Sequence, residues 1–115
     1  MSASNYQLQQ LLLELEVKAI ESNFWKRVVK DLNKSSRQRR IINIYKIDRY
    51  AKEGETILVP GKVLSVGNLT KKVVVAALNF SDQAKDKINH AKGTTLTIQQ
   101  LLQQNPDGKK VRILG

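Results

Sequence analysis

The 115-residue sequence contains no cysteine, one histidine and two prolines, and only 5% of it is aromatic. Absence of cysteine removes any disulfide frame and any thiolate metal site. The lone His90 stands near Lys87 and Lys92, with no thiol to activate. Acids are scarce too: ten Asp and Glu, mostly single among lysines or glutamines. Adjacent Ser81 and Asp82 read as helix-capping residues, not as a reacting pair. A G-x-x-x-x-G-K-S/T phosphate loop does not occur, because Gly61-Lys62 lacks the preceding glycine and the following hydroxyl. These absences predict no catalytic residues, no metal, no cofactor and no small-molecule substrate, so the chain is not expected to be an enzyme.

Long apolar runs are missing as well. The longest, Val73 to Leu78, has six residues, against the ~20 of a membrane-spanning helix. The first lysine is Lys18, and Leu11 to Leu13 is too short for the core of a signal peptide. No membrane partner is therefore expected, and the missing cysteines are compatible with the cytosol. With so few aromatic residues the core is predicted to be aliphatic, and an apolar content of 41% permits a modest one.

What the sequence does have is positive charge in one place. Lys and Arg number 20 against ten acids, a formal net charge of +10. Half of these cations lie between Asn23 and Lys52, where only Asp31 and Asp48 oppose them, a local +8. The first 22 residues carry −2 and the last 63 carry +4. Crowded like charges repel, and a polyanion is the commonest reason to keep them together.

Periodicity supplies the elements. Leu8, Leu11, Leu12, Leu15 and Ala19 follow helical spacing, which predicts a helix over Ser4 to Ile20 with Ser4 or Asn5 as cap. A second helix is predicted over Phe24 to Asn33 with Ser22 or Asn23 as cap. Ser35 to Arg40 has no apolar residue and no period. Ile41 to Ile47 is expected to be extended, followed by one helical turn to Ala51. Thr56 to Val59 reads as a strand stopped by Pro60-Gly61, and Lys62 to Val66 as another extended stretch. Lys72 to Phe80, with its Val73-Val74-Val75 triplet, predicts a buried strand. Ser81 to about Ala91 follows as a helix stopped by Gly93. Thr97 and Gln100 form a capping-box pattern ahead of a short helix to Gln104. Asn105-Pro106-Asp107-Gly108 is a turn, and Val111 to Leu114 a closing strand.

Several ordered pieces then become recognisable. They are Phe24-Trp25 opening the second helix, Arg39-Arg40-Ile41-Ile42-Asn43, Ile57 through Leu64, Gly67-Asn68-Leu69, Val73 through Ser81, Ala84-Lys85 with Lys87-Ile88, and Asn105 through Ile113. Together they resemble the archaeal and eukaryotic eighteen-e family of large-subunit ribosomal proteins, kin of the bacterial fifteen protein. The resemblance covers essentially the whole chain, in the short archaeal form. Two departures stand out. Tyr45-Lys46 follows Asn43-Ile44 where the family often has Ser-Arg, and Lys92-Gly93 stands where two glycines are common.

The resemblance implies an α+β fold: N-terminal helices, then an irregular superhelix of short β-β-α units. It implies no catalytic residue and no cofactor. The expected partners are large-subunit ribosomal RNA and neighbouring ribosomal proteins, in the cytoplasmic large subunit. One domain over residues 1–115 is expected, with helices in 1–34, a basic connector in 35–52 and a compact α/β core in 53–115. Expected RNA contacts on the connector are Lys34, Arg37, Arg39, Arg40, Asn43, Tyr45, Lys46 and Arg49. A guanidinium fork matches phosphate oxygens, and Tyr45 offers a ring for an unpaired base. Further contacts are expected at Gly61, Lys62, Lys71 and Lys72, and at Lys92. The first helix, at −2, is unsuited to phosphate and is expected to pack on the domain or face another protein. The competing reading is a free-standing nucleic-acid-binding regulatory protein. A helix-turn-helix reader is disfavoured because the arginines follow the helix instead of lying on it.

Overall fold

The computed structural model describes residues 3–35 and 37–115, and side chains from Tyr6 onward within them. Ser4 and Asn5, expected as caps, fall within the first helix, their side chains outside those described, and the connector residue Ser36 lies outside the described residues. Helix α1 (Ala3–Ala19) turns through Ile20 and Glu21 into α2 (Asn23–Leu32). Ser22 starts α2, its side chain accepting a hydrogen bond from the Trp25 backbone N–H at 3.3 Å. Trp25 is fully buried, and its indole Nε1 donates to the Pro106 carbonyl at 2.8 Å. The Phe24 ring meets it edge-on at 4.8 Å, so the second helix is pinned to the turn near the far end of the chain.

The remaining elements are β1 (Arg40–Asn43), α3 (Ile44–Tyr50), β2 (Thr56–Leu64), β3 (Val74–Phe80), α4 (Asp82–His90), β4 (Thr94–Thr97), α5 (Ile98–Gln104) and β5 (Val111–Ile113). The strands form one five-stranded sheet in the order β1-β2-β3-β4, with β5 also on β2, and every pair is parallel. Parallel neighbours require the chain to cross back after each strand. It does so through α3, through the irregular segment 65–73, and through α4. This is the α+β arrangement that the resemblance implied, with helices first and then short strand and helix units wound one upon the next.

Both faces of the sheet are covered. Ile57, Val59, Val75 and Ala77 pack with Ile44 and Ile47 of α3 and Ala84 and Ile88 of α4. Leu58 and Ala76, the alternate residues, pack with Leu15 of α1, Trp25 and Val28 of α2, and Leu101 of α5. Two-sided burial explains the unbroken apolar run from Val73 to Leu78. Each fully buried Val, Leu or Ile contributes about 1.5–3 kcal/mol, so Ile57, Leu58 and Val59 make β2 the best-anchored strand.

Two expectations need correction. Pro60-Gly61 does not stop the strand. Thr56–Leu64 runs through it with a register shift between Val59 and Lys62, which accommodates the missing proline N–H. That shift divides one edge of β2. Before it, Thr56 to Leu58 pair with β5, and after it, Gly61 to Leu64 pair with β1. The second correction concerns Ile44 to Ile47, which belongs to helix α3 and not to an extended piece. Strand β4 was not foreseen at all.

Gly61 is buried under β1, where an added Cβ would lie 1.9 Å from the Arg40 carbonyl oxygen. Gly61→Ala is therefore expected to destabilise the fold by about 2–4 kcal/mol. Equilibrium urea denaturation would measure it, and a loss below about 0.5 kcal/mol would contradict the packing described.

Candidate nucleic-acid interface

The connector enters the fold through Arg39. Its guanidinium Nη1 donates to the carbonyls of Leu32 at 3.3 Å and Lys34 at 3.0 Å, closing the C-terminal end of α2. Half-buried and engaged inward, Arg39 serves the fold more than the surface. Arg37 and Arg40 are exposed. Parallel register sets Arg40 opposite Gly61 and Ile41 opposite Lys62, while Lys62 pairs with Asn79 on its other side. Ile41, Lys62 and Asn79 thus form an exposed row across three strands.

Helix α3 carries the rest of this face. Lys46 and Arg49 are exposed on it, and the Arg49 guanidinium lies 5.6 Å from the centre of the Tyr50 ring. Tyr45 is 53% exposed. Its backbone N–H donates to Val66 at 2.9 Å, and Asn43 Oδ1 accepts from the Val66 N–H at 3.2 Å. The side-chain oxygen of Asn43 is therefore committed to the loop, and its amide nitrogen is the group left for another partner. Gly67 (φ 103) passes directly behind Tyr45, where a Cβ would come within 2.5 Å of it.

Acids in this region are turned to internal partners. Asp31 pairs with Lys34 at 3.4 Å and Arg27 at 3.9 Å. Asp48 accepts from the Thr70 backbone N–H and hydroxyl, both at 2.8 Å, and these bonds, with Lys71 nearby, hold its carboxyl below the usual range. Burial raises the Glu55 carboxyl, but the Lys52 N–H and the Arg112 guanidinium outweigh it and leave it lowered. Among the described residues, no internal ion pair or side-chain hydrogen bond opposes Arg37, Arg40, Lys46 or Lys62.

Three sequence-predicted contacts are placed differently from the expectation. Gly61 is covered by β1, so its backbone cannot approach a phosphate. Lys71 is turned inward, its ammonium donating to the carbonyls of Asp48 and, at 2.8 Å, Ala51, so it closes the end of α3. Arg39 is held as described. Lys87 is likewise engaged, with the Ser65 and Gly67 carbonyls at 2.6 Å each.

A second cationic face was not legible as one unit. Lys72, Lys92 and Lys110 are exposed and stand just before β3, β4 and β5. Because Val74 is level with both Thr56 and Thr94, and Thr56 with Val111, these lysines line the same edge of the sheet. Among the described residues, Lys92 and Lys110 are also the two non-glycine residues with positive φ, 68° and 59°. At Lys92 the N–H bonds Asn89 and the Gly93 N–H bonds Ile88, a Schellman ending of α4 that ordinarily takes glycine.

The profile of the family described as "Ribosomal protein 60S L18 and 50S L18e" matches residues 3–115. The chain belongs to this family. Its similarity to curated archaeal members is high throughout. It is 48% identical over 104 residues to the large ribosomal subunit protein eL18 of Methanoregula boonei, covering 90% of this chain and 86% of the relative. The eL18 of Methanosphaerula palustris is 53% identical over 94 residues, covering 82% and 78%. That of Halobacterium salinarum is 42% identical over 116 residues, covering 99% of each chain. In this L18/L18e chain the lysine at position 92 occupies a backbone conformation that favours glycine.

Two outcomes follow. Asp48 has a depressed pKa in the fold, so its stabilisation is complete above the unfolded value near about pH 4 and is lost as pH falls through the folded value. The melting temperature should therefore fall below about pH 4, and Asp48→Asn, which keeps the Oδ1 acceptor, should flatten part of that acid limb. At position 92, Lys92→Gly should stabilise the chain by about 0.5–1 kcal/mol in urea titrations, by relieving the left-handed backbone.

Proposed function

We propose that this chain is a structural constituent of the large ribosomal subunit that binds and stabilises folded large-subunit ribosomal RNA. It does so as one domain, without a catalytic step, in the cytoplasmic ribosome. The observation that carries the reading is the pairing of acids: Asp48 and Glu55 are engaged with the fold and Asp31 with Arg27 and Lys34, which leaves Arg37, Arg40, Lys46 and Lys62 without an ion-pair partner among the described residues. The connector face would supply Arg37, Arg40, Lys46, Arg49 and Lys62 to phosphates, with Lys34 at its margin. Asn43 would offer its amide N–H to a base edge or sugar, and Tyr45 its ring to an unpaired base.

The lysine edge would supply Lys72 and Lys92, together with Lys110. Arg40 is level with Gly61 in β2, whereas Lys72 lies near Gly54, to which its carbonyl is bonded. Seven residues, most of them in β2, separate the two levels, roughly 23 Å at strand rise. Two cationic faces so far apart favour bridging of separate RNA segments over gripping of one. Within the family, a charged residue held at position 92 against its backbone preference fits that use.

Binding to purified large-subunit rRNA, measured by filter retention over a salt series, tests this. With about seven phosphates neutralised, log affinity should fall with log salt at a slope of roughly −5 to −6. Arg37→Ala with Arg40→Ala should make that slope shallower by about 1.5 and leave the melting temperature within about 2 °C. A slope near −1 would overturn the electrostatic reading.

A further inference from the structure

Helix α1 has two apolar faces, and the fold uses one. Leu15 is buried, and Leu11 and Leu12 pack beside it against the sheet. On the opposite side stand Tyr6, Leu13 and Val17, with Ile20 in the turn just after the helix. They are 63%, 59%, 68% and 82% exposed. At 3.6 residues per turn these four fall within about 60° of one another and form a line about 21 Å long. Four large exposed apolar side chains in one line are more than scattered surface hydrophobes.

The charges around the line say what covers it. Glu16 flanks it on one side and Glu14 on the other, with Glu21 beyond its end. Glu14 accepts from Gln99 Nε2 at 3.1 Å. The first 22 residues carry −2 in a chain of net +10. Phosphate would be repelled from them. A second copy would bring acidic rims against acidic rims, with only Lys18 to relieve them. A basic polypeptide meets both demands.

We propose that the outer face of α1 docks a cationic protein segment that carries its own apolar side chains. Tyr6, Leu13, Val17 and Ile20 would be covered by apolar contact, and Glu14 and Glu16 would pair with lysines or arginines at the rim. The inference rests on the proposed place of the chain in the large subunit and names the surface that faces a protein there instead of RNA. It gives the chain two recognition chemistries, cations toward RNA and an acid-rimmed apolar helix toward protein.

The test uses the full chain with a photo-crosslinking amino acid at Leu13, expressed in an archaeal host in place of the host's own relative. Large subunits are purified on gradients, irradiated, and the adducts mapped by mass spectrometry. The expected adduct joins position 13 to a net-positive peptide of another subunit protein. Glu16→Lys should reduce its yield roughly two- to tenfold, as reversal of a rim charge would. Subunits that contain the chain but give adducts only to rRNA, only to a second copy, or none would overturn the inference and leave the ribosomal reading standing. A chain absent from the subunit peak would overturn both.

Discussion

Strand β2 must be hydrogen-bonded along both edges and buried on both faces, and the rest of the molecule is arranged to meet that demand. Nine residues accept three parallel partners. Ile57 and Val59 face one core while Leu58 faces the other. Neither core contains a buried polar or charged side chain among the described residues. Proline in a central strand is ordinarily excluded because it removes a ladder donor. Here Pro60 stands where one edge partner gives way to another and where the pairing with β3 shifts register, so its missing donor falls at a break in the ladders.

The same economy governs charge. In a chain this basic, an acid can either neutralise a surface cation or hold the fold together, and several of these do the second. Asp48 secures Thr70, Glu53 accepts from the Lys72 N–H, and Glu55 secures Arg112. Lys71, Lys87 and Arg39 do the complementary work on backbone carbonyls at element ends. Cations are thereby sorted into those that finish helices and loops and those that stay outward. Only the latter can release counterions from a polyanion.

Much of this was legible in the sequence, and the failures have physical causes. The Thr97 and Gln100 pair marked the start of α5 because the motif satisfies two backbone N–H groups within four residues. Leucine spacing revealed the inner face of α1, and the valine triplet revealed β3. Strand β4 escaped because its four residues hold a single apolar side chain, Leu96, and its pairing comes from β3 alone. Of the candidate contacts, residue type identified the cations but not their direction. Nothing in Lys71-Lys72 says that the first turns inward and the second outward. That depends on the end of α3 arriving beside residue 71, which only the folded chain provides. The lysine edge was invisible for the same reason, since its members are separated by 20 and 18 residues and meet only through strand register.

The shared edge of β2 also bears on the order of events as the chain is made. Thr56 to Leu58 are synthesised well before the strand that covers them, Val111–Ile113. Until it arrives, Thr56, Ile57 and Leu58 present an open row of N–H and C=O groups, the kind of edge that recruits stray strands. Newly made protein is therefore most vulnerable to self-association before Val111–Ile113 docks on β2. Cells that make it in quantity have reason to keep that interval short or attended.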